Sequence, residues 1–199
     1  MRSTSSVVAV VLVLVLVLVL GACGDDDAAA DTDGVAEFTF REQVVELDDA
    51  VRTWSDTDTI EAAHAAAEAA ANLVVGEGGP GYGDRDGDGT VNGASPFGLL
   101  PGLDGTPSGL AEPLADNDCV AADVLGGTWH DPADRWATML DAIDAWRPDG
   151  NTMPGLPSHP MRVVGWATFT LASDSLDEAR EFAGHAQLHV DVTIDALDC

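Results

Sequence analysis

Apolar residues recur along most of this chain at steps of three and four, the spacing that puts side chains on one face of a helix. Phe40, Val44, Leu47, Val51 and Trp54 make the first such stripe, with Glu42, Glu46, Asp48 and Asp49 falling mostly outside it. A second stripe, Ile60, Ala63, Ala67, Ala70 and Val74, predicts a helix from about Asp58, which can cap it, to Val75, where Gly76 ends it. So many alanines imply close approach between helices. Asp116 to Leu125 reads as a short helix carrying Cys119. His130-Asp131-Pro132 opens a further helix, with Asp131 as cap and Pro132 in the first turn. Its face is Trp136, Leu140, Ile143 and Trp146 or Arg147, and Pro148-Asp149-Gly150-Asn151 stops it. Residues 158–172 are apolar throughout, so periodicity leaves both a buried helix and a strand open there, and the helical reading is taken. The last stripe is the longest: Leu176, Ala179, Ala183, Ala186, Val190, Thr193 and Leu197, with Ser175 and Glu178 placed for a capping box. The pattern predicts an all-α fold, a bundle of four to five helices, with no internal repeat.

Between the second helix and the third, residues 76–115 carry no sustained period and are rich in glycine and proline. They are expected to form a long excursion from the bundle, and a loop of that length usually has a function or a ligand that organises it. Within it stands GYGDRDGDGTVNG, residues 81–93. Counting from Asp84, carboxylates occupy positions one, three and five (Asp84, Asp86, Asp88), and Gly89 occupies position six, where the turn needs backbone freedom. Thr90 offers a carbonyl at seven, Val91 is expected as the buried apolar residue at eight, and Asn92 stands at nine. The order D-x-D-x-D-G-x-V-N resembles the calcium loop of EF-hand and dockerin-type proteins, and the resemblance implies a calcium ion held by Asp84, Asp86, Asp88, Thr90 and Asn92. The resemblance ends at position twelve, where that family has an acidic residue and this chain has Ser95. The missing oxygens are therefore expected from outside the loop, from Glu77 or Asp104, the nearest acids in sequence, or from water at lower affinity.

The beginning of the chain changes where this domain is expected to work. Val7–Leu20 is an unbroken apolar run of 14 residues after the single charge of Arg2, and it ends in Leu20-Gly21-Ala22-Cys23. A charged start, a short apolar core and small residues at the exit describe an export signal, shorter than the ~20 residues that span a bilayer. LGAC resembles the bacterial lipobox. That resemblance implies removal of residues 1–22, lipidation of Cys23 with chains such as palmitate, and anchoring to the outer face of the bacterial cell membrane. Residues 23–34 are small and acidic and are expected to be a solvated tether, leaving residues 35–199 as a single domain. With Cys23 lipidated, Cys119 and Cys199 remain as a pair in an oxidising setting and are expected to form a disulfide.

Charge narrows the partners. The 35 acids outnumber 8 bases, giving a net charge of −27. Such a surface repels nucleic acid and favours cations. The length and placement of the loop suggest instead a surface presented to a protein or polysaccharide partner at the cell surface. Histidine supplies the alternative site: His64 with Glu68, and His185 with His189, are i,i+4 pairs on two predicted helices, an arrangement that could hold a transition metal or haem in a bundle. Neither G-x-S-x-G nor a phosphate-cradling motif occurs in the chain. The sequence thus favours a binding or structural protein with a calcium-organised loop, and not an enzyme.

Overall fold

In the computed structural model, residues 32–105, 116–147 and 155–199 are described, with side chains from residue 40 onward. The export run, Cys23, most of the tether and residues 106–115 of the excursion lie outside the described residues. Five α-helices and one π-helical turn are present, and no strand occurs among the described residues. The helices are α1 (Thr32–Asp56), α2 (Ile60–Val75), α3 (Pro132–Ala145), α4 (His159–Leu171) and α5 (Leu176–Leu197), with the π turn at Val120–Val124. α1 begins three residues ahead of the expected domain start at Val35.

α1, α2, α4 and α5 form a four-helix arrangement: α1 packs on α2 and α5, and α4 packs on α5 and α2. The first stripe is its centre, since Phe40, Val44, Leu47, Val51 and Trp54 are all fully buried. α1 and α5 run antiparallel, as three contacts along their length demonstrate. Arg41 bonds Asp198 (3.1 Å), Gln187 bonds Asp48 (2.6 Å), and Arg180 donates to the Thr57 carbonyl. Ala63, Ala67 and Ala70 of α2 and Ala179, Ala183 and Ala186 of α5 are buried with no accessible surface, as the alanine stripes imply. The short apolar segment 158–172 resolves as helix, capped by Ser158.

Details differ from the sequence expectation where two adjacent residues compete for one role. Thr59, not Asp58, caps α2, its Oγ1 accepting from Ala62 N at 3.2 Å. On α3 the core takes Trp136, Met139, Ile143 and Trp146, while Leu140 is only half-buried. The box at α5 is shared with a third residue: Ser175 Oγ accepts from Glu178 N, but the Glu178 carboxylate accepts from Ser173 Oγ (2.7 Å), which in turn accepts from Ser175 N. α3 reaches the bundle through Trp146, whose ring lies over Gly165 of α4 and edge-on to Trp166, with ring centres 4.2 Å apart. Cys119 and Cys199 are joined by a disulfide, with Cα atoms 6.3 Å apart.

Candidate metal centre

The second half of α2 is buried almost all round, and two polar residues stand inside it four positions apart. Glu68 and Asn72 each have no accessible surface. Residues at i and i+4 share a helix face, and this face carries the glycine-rich segment. Asn72 Nδ2 donates to the carbonyls of Gly83 (2.9 Å) and Asn92 (2.7 Å), and its Oδ1 accepts from Gly83 N (3.2 Å) and Arg85 Nε (3.1 Å). Glu68 Oε1 accepts from Asn92 N (2.7 Å) and Asn92 Nδ2 (3.3 Å), while Oε2 accepts from Arg85 N (2.5 Å) and Asp86 N (3.1 Å). A buried carboxylate costs several kcal/mol unless its oxygens are bonded, and these four donors offset that cost. From α1, Gln43 completes the docking by donating to the carbonyls of Leu73 (2.7 Å) and Phe97 (2.6 Å). Residues 83–97 are thus stitched to the bundle by three side chains that the bundle buries.

Close approach needs a glycine at one point in particular. Gly93 has φ +67°, and a Cβ there would sit 2.2 Å from the Ala69 carbonyl oxygen and 2.5 Å from its Cα. The obstacle is helix backbone, which cannot swing aside. Gly93→Ala should therefore destabilise the protein by about 2–3 kcal/mol, combining left-handed strain with loss of docking. Gly87→Ala, where φ is +78° but open space surrounds the position, should cost only the strain, about 1–2 kcal/mol. Thermal melts of the two variants side by side check this, and equal losses would refute the docking account.

Inside the stitched segment the aspartates accept backbone amides. Asp84 takes Gly87 N on Oδ1 (2.8 Å) and Gly89 N on Oδ2 (2.9 Å), Asp86 takes Asp88 N (3.0 Å), and Asp88 takes Thr90 N (2.7 Å). Gly89 adopts φ +91°, the freedom that position six requires. Carboxylate oxygens of Glu68, Asp84 and Asp86 then lie within 4.8 Å of one another, a group that can hold a metal ion. Its three members range from buried (Glu68) through half-buried (Asp86) to exposed (Asp84). Desolvation, first, and the charges of Glu68 and Asp88 push the Asp86 carboxyl above its ordinary range, against the pull of the Asp88 amide. Nearby, burial holds the Arg85 guanidinium below its ordinary range, and the charge of Glu68 counters this.

The structure sorts the predicted residues into different places. Asp84 and Asp86 converge. Asp88 and Thr90 are exposed and bonded to each other, Val91 is exposed and not buried as expected because the loop docks through Glu68 and Asn72 instead, and Asn92 acts as a donor to Glu68. Glu77 and Asp104 are outside the converging group, and Glu68 of α2 is the acid from beyond the loop. The histidine grouping is not assembled. Glu68 belongs to the aspartate loop, His64 Nε2 meets the Ser173 carbonyl (3.0 Å), and His185 stacks on Trp166 with ring centres 4.5 Å apart. His189 pairs instead with His159, which was not among the predicted ligands. Asn72 and Gln43 were also missed. The available signal was Glu68 and Asn72 themselves, an i,i+4 polar pair in a run of alanine, leucine and valine. Compared with protein-family models, with curated proteins and with solved structures, the chain matches none.

Proposed function

We propose that this protein is an exported, lipid-anchored envelope protein with a binding or structural role, and that calcium clips its glycine-rich segment to the bundle. The observation that carries the reading is the position of Glu68: a carboxylate from α2 stands with Asp84 and Asp86, where the loop itself has Ser95 in place of an acid. Three carboxylates are hard oxygen donors, which suit calcium, magnesium or manganese and not soft-metal chemistry. Calcium is favoured among these because its coordination shell is large and irregular, whereas magnesium demands near-ideal octahedral geometry. Bound there, the ion supplies charge neutralisation and nothing chemical. Glu68 fixes the loop to α2, Asp84 and Asp86 hold the loop's turn, and Asn72 orients Gly83 and Asn92 on either side. An ordered segment ending in the exposed Phe97 side chain then offers a fixed surface to a protein or polysaccharide. Export and anchoring rest on Val7–Leu20 and on the LGAC tetrad ending at Cys23.

Calcium at about a hundred times its dissociation constant adds ~2.7 kcal/mol of stability. For a domain of this size that should raise the melting temperature by about 5–10 °C. Asp84→Asn should abolish most of the rise, and magnesium should reproduce little of it. A melting temperature indifferent to millimolar calcium would falsify the reading.

A further inference from the structure

Beyond the carboxylate site, a second feature joins two helices through imidazoles. His159, the first residue of α4, and His189, in the middle of α5, face each other with Nδ1 atoms 3.1 Å apart and ring planes inclined at 64°. Both are half-buried, so solvent reaches the pair. The backbone under each ring is fixed. Ser158 caps α4 by accepting from Met161 N and donates its own hydroxyl to the Val124 carbonyl (2.6 Å), which fixes the helix start that carries His159. The His189 carbonyl accepts from Thr193 Oγ1 within α5.

We infer that His159 and His189 form a two-imidazole chelate for a borderline divalent transition-metal ion, of the copper or zinc class, bound through the facing Nδ1 atoms. The distance is the argument. Two nitrogens each about 2.0–2.1 Å from one ion, and 3.1 Å apart, subtend about 95–100° at the metal, between square and tetrahedral geometry. Imidazole is a preferred ligand for that class, and calcium or magnesium would not choose it. A metal takes imidazole through a neutral ring's lone pair, so binding is expected to weaken as the pH falls and the rings protonate. In the ion-free pair one ring donates Nδ1–H to the other. On binding, that ring's proton moves to its own Nε2, leaving both Nδ1 lone pairs on the ion and releasing no net proton. Two protein ligands leave the remaining positions to water. Arg162 opposes the cation and Asp123 favours it, so the site is expected to be exchangeable.

The test uses the full chain in detergent, stripped with chelator, saturated with calcium to fill the carboxylate group, and titrated with Cu²⁺. Pulsed electron paramagnetic resonance should show one copper coupled to two imidazoles. His189→Gln and His159→Gln should each leave one imidazole and weaken binding at least as much as loss of an outer-shell partner does, roughly 10–100-fold. His185→Gln should change the affinity less than about threefold, because that ring is stacked on Trp166. A wild-type spectrum without two imidazole couplings overturns the inference and needs no variant to do so. Equal losses from His185→Gln and His189→Gln, with circular dichroism reporting folded protein, also overturn it.

Discussion

Replacing Glu68 by glutamine is expected to weaken calcium binding about a hundredfold and to loosen residues 83–97 from the bundle even without calcium. The side chain is the same length, so the change is one of charge and donor pattern. Glutamine keeps one carbonyl oxygen, but an NH₂ group must stand where a carboxylate oxygen now accepts two N–H groups. At Glu68 Oε2 those donors are the amides of Arg85 and Asp86; at Oε1 they are both from Asn92. Either orientation buries donors against donors, at about 1–3 kcal/mol for each group left unsatisfied. The expected loss in chelator is therefore about 3–4 kcal/mol, limited by the free energy of docking the segment. Arg85 loses its buried counter-charge in the same step. Removing one partner from a buried charge group commonly costs about 3 kcal/mol or more, which is roughly a hundredfold in calcium affinity. Glu68→Asp retains charge but withdraws the oxygens by one methylene, and should fall between. Calorimetry gives the affinities, and limited proteolysis in the segment reports the undocking. Calcium affinity unaltered in Glu68→Gln would place the ion elsewhere or nowhere.

The reach of the sequence stops at that same residue, and the reason is physical. Helix stripes are local: Phe40 to Trp54 and Ala179 to Leu197 were legible because burial of one face is written at fixed spacing within the element itself. Local too was the loop's turn chemistry, so Asp84, Asp86 and Gly89 could be placed by counting. What spacing cannot state is which helix face a distant backbone segment lies against. Glu68 sits four residues after His64, and the pair looked like two ligands of one site. In the fold His64 turns to the Ser173 carbonyl while Glu68 turns to the loop. The misplacement of Leu140 for Met139 has a smaller cause, since neighbouring residues are only about 100° apart on a helix and either can border the core. Asn72 was overlooked because an amide in an alanine helix carries no motif, although its four hydrogen bonds do as much to seat the segment as the carboxylate does.

Breaking the Cys119–Cys199 disulfide should produce the largest single loss of stability in the molecule. The bridge closes a loop of 80 positions that contains α3, α4 and α5. On the chain-entropy account, a closed loop of that length removes about 4.5 kcal/mol of freedom from the unfolded chain. The native side of the balance is already supplied by other contacts, so little should be regained by relaxation. Val120 and Val124 of the π turn are fully buried, the Val124 carbonyl accepts the Ser158 hydroxyl, and Arg41 holds the carbonyl of Leu197 (2.7 Å). Those contacts keep both ends of the bridge in place without it, which makes the double change Cys119→Ser, Cys199→Ser a measure of the cross-link and not of a rearranged fold. The melting temperature should fall by about 9–18 °C for a domain of this size, with far-ultraviolet circular dichroism unchanged below the transition. Calcium should raise the melting temperature of the serine variant by nearly the same increment as the parent, because Glu68, Asp84 and Asp86 lie outside the closed loop and respond to the ion in the folded state. A loss under about 1 kcal/mol would mean that the unfolded chain is already held compact by other means, and that the bridge contributes little to folding.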